Sequence, residues 1–224
     1  MFSTQTLSFL SDLKDHNERA WFEANKLRYE RDVKAPLQNL MVELSKQLPK
    51  VSKQIVVDPR PVGGSAMRIY RDLRFSKDKS PYKPYLSAKF WHARGKDSAA
   101  PGFYLHVEPG KSMIGGGVWH PEVAQLKKIR DAIAKKPNQW KSATSGLLRR
   151  SACGMIGESL KRPPPGYDPD HALIEDIKRK DFCVSMMLSD EDVVSKRFAQ
   201  KIVEGARRMT PFMAFLAKAV GVPY

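Results

Sequence analysis

Apolar residues change their spacing twice along this chain, and that change limits the folds it can reach. Up to Leu48 they recur at three and four: Leu7, Leu10 and Leu13 with Phe9, then Trp21, Phe22, Tyr29 and Val33, then Leu37, Leu40, Met41 and Leu44. That is the spacing of a helix face. From Ile55 to Trp119 a period of two takes over. Leu86, Ala88 and Phe90 alternate with Ser87, Lys89 and Trp91, and Phe103, Leu105 and Val107 alternate with Tyr104, His106 and Glu108. Successive side chains on a strand point to opposite faces, so these are half-buried strands. Beyond Pro121 the helical spacing returns, in Val123, Leu126, Ile129 and Ile133 and again in Val194, Phe198, Ile202, Met209, Phe212 and Leu216. Strands gathered between helices, without strict strand–helix alternation, specify an α+β fold with a central, mainly antiparallel sheet flanked by N-terminal and C-terminal helices. The 224 residues read as one domain, helical over 1–50, strand-rich over 55–119 and mainly helical over 121–224.

Local signals place the boundaries. Asn17, with Glu18 behind it, reads as a helix N-cap, and Pro36 as a kink or break in the helix that follows. Residues 103–119 read as a hairpin turning at Pro109-Gly110, with Gly115, Gly116 and Gly117 marking a bulge or the close approach of another backbone. Pro121 suits a first helical position, a second helix is expected over 138–150, and 161–170 is an extended proline-rich loop. A short helix over 172–180 and a strand over 184–188 follow. Ser189 then caps a long terminal helix, with Asp190, Glu191 and Asp192 in its first turn to complement the helix dipole.

Charge is the first functional signal. Lysine and arginine number 39 against 24 acidic residues, a formal net of +15, which attracts polyanions. The most apolar stretch, 212–222, is interrupted by Lys218 and Gly221 and falls far short of the ~20 residues a bilayer span needs. The N-terminus lacks the basic start and apolar run of a secretory signal, so a cytoplasmic protein without membrane attachment is expected. Cys153 and Cys183 have no metal-site or redox-motif spacing and read as small core residues. No Gly-rich phosphate loop or dinucleotide fingerprint is present, and no cofactor or metal is expected.

One segment concentrates the chemistry. Between positions 68 and 83 stand Arg68, Arg71, Asp72, Arg74, Lys77, Asp78, Lys79, Tyr82 and Lys83. The three arginines recur every third residue and would share a face on a helical or 3-10 turn. Guanidinium forks grip carboxylates and phosphates with paired hydrogen bonds. Arg68, Arg71, Asp72, Arg74, Lys79 and Tyr82 are therefore the candidate ligand-binding residues, with Asp72 and Asp78 orienting the arginines or binding a cation beside the anion.

The run R-x-x-R-D-x-R-F-x-x-[DN]-K-x-x-Y, carried by Arg68, Arg71, Asp72, Arg74, Phe75, Asp78, Lys79 and Tyr82, resembles the signature of domain-of-unknown-function family 2461, a bacterial family with fungal relatives. Asn17 with Trp21 and Phe22, the stretch from Gly102 to His106 and Gly110, Gly115 to Gly117 with Trp119, and Arg162 to Asp168 resemble it too. The resemblance covers most of the chain and implies kinship. It brings no activity with it.

Three readings follow. The first is a protein binding an anionic ligand, whether nucleotide, phosphorylated metabolite or nucleic acid, with bases stacking on Trp91, Tyr104 or Trp119 in the last case. The second is a hydrolase using Asp72, Asp78, His106 and Glu108 for metal or acid–base work, with His92 and His120 ending nearby strands. The third is a structural or interaction protein whose arginines and aspartates pair internally. Ser76 or Ser80 beside lysines is a weaker candidate nucleophile. Oligomeric state leaves no mark on the sequence.

Overall fold

The computed structural model describes residues 1–74, 78–95, 100–148 and 153–224, and among these six strands form a sheet in the order β1-β2-β3-β4-β6-β5. The strands are β1 (Ile55–Val56), β2 (Leu86–His92), β3 (Gly102–Val107), β4 (Met113–Val118), β5 (Cys153–Ile156) and β6 (Phe182–Met187), and every pairing is antiparallel. The fold is α+β, with helices before and after the strands as the changes of spacing require. β3 and β4 form the expected hairpin, with Leu105 opposite Ile114.

The N-terminal helices are α1 (Thr4–Asp15), α2 (Arg19–Ala24), α3 (Lys26–Tyr29) and α4 (Ala35–Gln47), with a π-helical turn (Glu30–Lys34) joining the last two. Pro36 does not break a helix. It lies in the first turn of α4, directly after the π-helical turn, where the Ala35 N–H reaches back five residues to Glu30 O and the helical run goes on past the proline. Asn17 is not an N-cap either, since Glu18 occupies that position and its side chain makes no capping bond. After β4 come α5 (Val123–Lys135), α6 (Pro137–Leu148) and α7 (Ile174–Ile177). Pro121 stands before the N-cap Glu122 instead of at the first helical position, and α7 is shorter than expected. Arg149 and Arg150, expected to end the second of these helices, lie outside the described residues.

Ser189 does cap a helix, its hydroxyl accepting the Asp192 N–H at 3.1 Å. That helix is the short α8 (Asp190–Val194), because Ser195 takes an extended backbone and the long helix α9 begins only afterwards (Phe198–Val220). α9 lies on the sheet face made by Ile114, Gly116 and Met186. It comes close through Gly205, where a Cβ would stand 2.7 Å from Met186 and 2.8 Å from Ile114. α6 packs on the same side, with Trp140 edge-on to Phe182 at 6.0 Å and against Phe215 at 5.2 Å. The buried cluster gathers Phe9, Leu44, Phe90, Leu105, Val184 and Phe212 from all parts of the chain. Among the described residues, no helix is long and apolar enough to cross a membrane.

Gly117 shows why that glycine run sits in β4. Its φ is +144°, and a Cβ there would lie 2.0 Å from the Phe182 carbonyl oxygen of the neighbouring strand. The expected close approach of another backbone is therefore real. The strand β5, which pairs Gly154 with Ser185 at the edge, has no counterpart among the sequence expectations.

Candidate functional site

Residues 65–71 run antiparallel to 81–89 along the side of β2 that β1 also pairs with. Met67 N–H donates to Ser87 O at 2.9 Å, Lys89 to Ser65 O at 2.9 Å, Arg71 to Pro81 O at 2.9 Å and Lys83 to Ile69 O at 2.8 Å. Two bridges, Ala66 with Ala88 and Tyr70 with Tyr82, mark a change of register around Pro84, which has no N–H to give the ladder. The segment is thus an irregular hairpin. Arg68, Arg71 and Arg74 do not share the face of a helical or 3-10 turn, because an extended backbone sends every third residue to the opposite side. The tip residues Phe75, Ser76 and Lys77, with the Ser76 nucleophile candidate, lie outside the described residues.

The hairpin base is fixed by Asn17. Its amide Nδ2 donates to Tyr82 O at 3.0 Å, and its Oδ1 accepts Tyr82 N–H at 3.0 Å. Tyr82 itself is 3% exposed, stacked on Phe22 at 4.1 Å and beside Tyr70 at 5.4 Å. Its place in the core makes it a support of the site.

Arg71 reaches Asp78 Oδ2 at 3.1 Å and Tyr82 O at 3.3 Å through Nη2, while its Nε is buried with no hydrogen-bond partner among the described residues. Arg74 forks onto Asp72 at 3.0 and 2.7 Å in an exposed pair, and this guanidinium holds the Asp72 carboxyl far below the usual range. Asp78 is held low by Ser80 first and by Arg71 in smaller part. Lys79 donates to Leu73 O at 3.1 Å. Arg71 and Tyr82 line an open cleft of about 320 Å³ together with Arg19, Glu23 and Tyr70. Arg68, Asp72, Arg74 and Lys79 are not part of its lining.

Lys83 belongs to the charged segment but not to the candidate ligand-binding residues read from it. Its ammonium donates to Arg68 O at 3.1 Å. Burial lowers its pKa, and so do Arg68, Arg71 and Lys89, all three of them cations. Its place next to Tyr82 was a signal of sorts. Arg19 offered none, because only the docking of α2 brings it to the cleft.

A second polar group stands on the sheet face turned away from α9. His106 Nε2 lies 3.0 Å from Glu108 Oε2, and Tyr104 OH lies 3.5 Å from His106 Nδ1. Tyr85 packs on the imidazole at 4.5 Å, and Ser112 Oγ donates to Glu108 O at 3.0 Å. Burial raises the Tyr104 phenol, with a Ser87 hydrogen bond working the other way. His92 and His120 do not join this group. His92 accepts Arg94 N–H at Nδ1 and so donates from Nε2 to Pro223 O at 2.8 Å. His120 takes a φ of +48° and meets the fully buried Asp181 at 3.1 Å. Among the described residues, no three of His, Cys, Asp and Glu gather to hold a metal ion.

A helix-backed antiparallel sheet, bearing on one side an Asn-clasped hairpin of arginines and aspartates, defines a class of α+β protein. The chain belongs to the family described as conserved hypothetical protein (DUF2461), whose model matches residues 5–215, from α1 through most of α9. No curated protein matches it.

Proposed function

We propose that this protein binds an anionic, phosphate-rich ligand at the base of the 68–82 hairpin. The carrying observation is the company that Lys83 keeps: its ammonium donates to Arg68 O at 3.1 Å and is pushed down by burial first and then by Arg68, Arg71 and Lys89, of which Arg71 also pairs with Asp78 at 3.1 Å. Like charges held together in a partly desolvated place raise the free energy of the unliganded protein, and a bound anion relieves it. Arg19 and Arg71 in the adjoining cleft extend the positive surface, and the net charge of +15 favours encounter with an anion. Arg74 and Asp72 satisfy each other at the exposed tip, so the binding set is Arg68, Arg71, Lys83 and Lys89, with Tyr82 and Asn17 as supports.

Titration calorimetry with inorganic pyrophosphate tests this. The expected result is saturable binding that weakens with salt, falls about tenfold or more in Lys83→Gln, and declines at alkaline pH before an ordinary lysine would lose its proton. Absence of binding, or undiminished binding by Lys83→Gln, overturns the reading.

A second reading, acid–base catalysis, draws on the 3.0 Å contact of His106 with Glu108, which orients the imidazole as a carboxylate does in hydrolytic dyads. Activity that disappears in both His106→Gln and Glu108→Gln would favour it.

A further inference from the structure

The cleft beside the hairpin is lined by two kinds of residue. Tyr70, Leu73, Pro81 and Tyr82 give it apolar walls, and Arg19, Glu23 and Arg71 stand among them. Tyr70 is 48% exposed, yet its ring is held by Tyr82 at 5.4 Å and Phe22 at 6.3 Å. Such a ring is a pre-set surface for another flat group, because little side-chain freedom is left to lose on binding. The cleft, about 320 Å³, would hold about ten waters at ~30 Å³ each, and lies at the lower end of the ~300–1,000 Å³ range of small-molecule sites. A phosphate alone would leave most of that space empty.

We infer that this cleft seats the ring of a nucleotide, a deepening that rests on the anion-binding reading above. Glu23 sets the direction in which the ligand lies. Its carboxylate repels phosphate and only accepts hydrogen bonds, so it favours a neutral group with N–H donors in the cleft. Lys26 meets Glu23 Oε2 at 3.4 Å in an exposed pair, which solvent weakens. The phosphates then lie toward Lys83, Arg68 and Lys89. Arg71 joins the two halves, since it lines the cleft and also acts on the Lys83 ammonium. Nucleobases have flat π faces and carry N–H donors on their edges, which matches Tyr70 on one count and Glu23 on the other. A sugar phosphate would offer Tyr70 no such face.

Titration calorimetry compares guanosine diphosphate, whose base carries adjacent N–H donors, with methyl diphosphate, which has the same charged groups and no ring. Guanosine diphosphate is expected to bind at least about fivefold more tightly, the gain from one stacked base. Tyr70→Leu and, separately, Leu73→Ser are each expected to lower the ratio of the two affinities toward one, with melting temperature showing that the variant is folded. Equal affinity of the wild type for both diphosphates overturns the seat for the ring and leaves the anion site standing. A ratio that keeps its wild-type value in both variants overturns it as well, since the ring would then lie elsewhere. If neither diphosphate binds, both readings fall.

Discussion

Asn17 shows how much one side chain can hold. A polar residue ahead of α2 looks like a cap in the sequence, yet its amide mimics a strand partner and closes both hydrogen bonds of the Tyr82 peptide. Asn17→Ala is expected to lower stability by about 1–3 kcal/mol in urea unfolding, because it strands a buried N–H. Asn17→Asp keeps the acceptor for the Tyr82 N–H but replaces the donor with an oxygen facing the Tyr82 carbonyl, so it should recover only part of that loss. Arg74→Ala and Asp72→Ala are expected to leave the unfolding midpoint unchanged, because their pair lies exposed to solvent. The third reading, a buried Arg–Asp network, would require the opposite. Cys183 gives a further expectation. Burial pushes its thiol from 9.0 up to about 12, so it should resist alkylation at neutral pH until the protein unfolds. The same shift fixes a pH dependence. The folded protein holds this proton more tightly than the unfolded chain, so the contribution is complete below about pH 9 and is lost as pH rises toward 12. The phenols of Tyr29, Tyr167 and Tyr224, raised from 10.0 to about 12, act in the same direction. Melting temperature measured across this range should fall.

At the scale of elements, the contact of α9 with the sheet depends on Gly205. Gly205→Leu is expected to destabilise by about 1–3 kcal/mol in denaturant titration, since Met186 and Ile114 already occupy the space. The long regular elements were legible in the sequence because each carries its own pattern: the stripe of α4, the alternation of β2 and β3, the turn between β3 and β4. Others were decided by partners far along the chain. β5 is four residues, Cys153 to Ile156, with a glycine and no alternation, and only pairing with β6 makes it a strand. The arginine segment misled for a related reason. A three-residue spacing suggests a turn of helix, but backbone pairing with residues 81–89 imposes an extended path. Its charge density could be read from composition, whereas the convergence of Lys83, Arg68, Arg71 and Lys89, and the approach of Arg19, arise from tertiary structure. The group Tyr104, His106 and Glu108 was readable from alternation alone, since two-residue spacing on a strand makes neighbours of them.

For the whole molecule, one buried cluster runs from Phe2 to Leu216 and includes side chains from the N-terminal helices, the sheet and α9. We propose on that basis that residues 1–224 form a single cooperative unit. Far-ultraviolet circular dichroism and tryptophan fluorescence, the latter sensing Trp140 beneath α9, should give coincident unfolding midpoints, and separated transitions would contradict it. The two ends of the sheet carry a different consequence. β1 contributes two residues and β5 four, so the outermost strands are among the shortest. Long, flat margins invite foreign chains to add themselves by backbone pairing, as in fibril growth. By finishing its sheet with stubs, this protein withholds the template for such accretion.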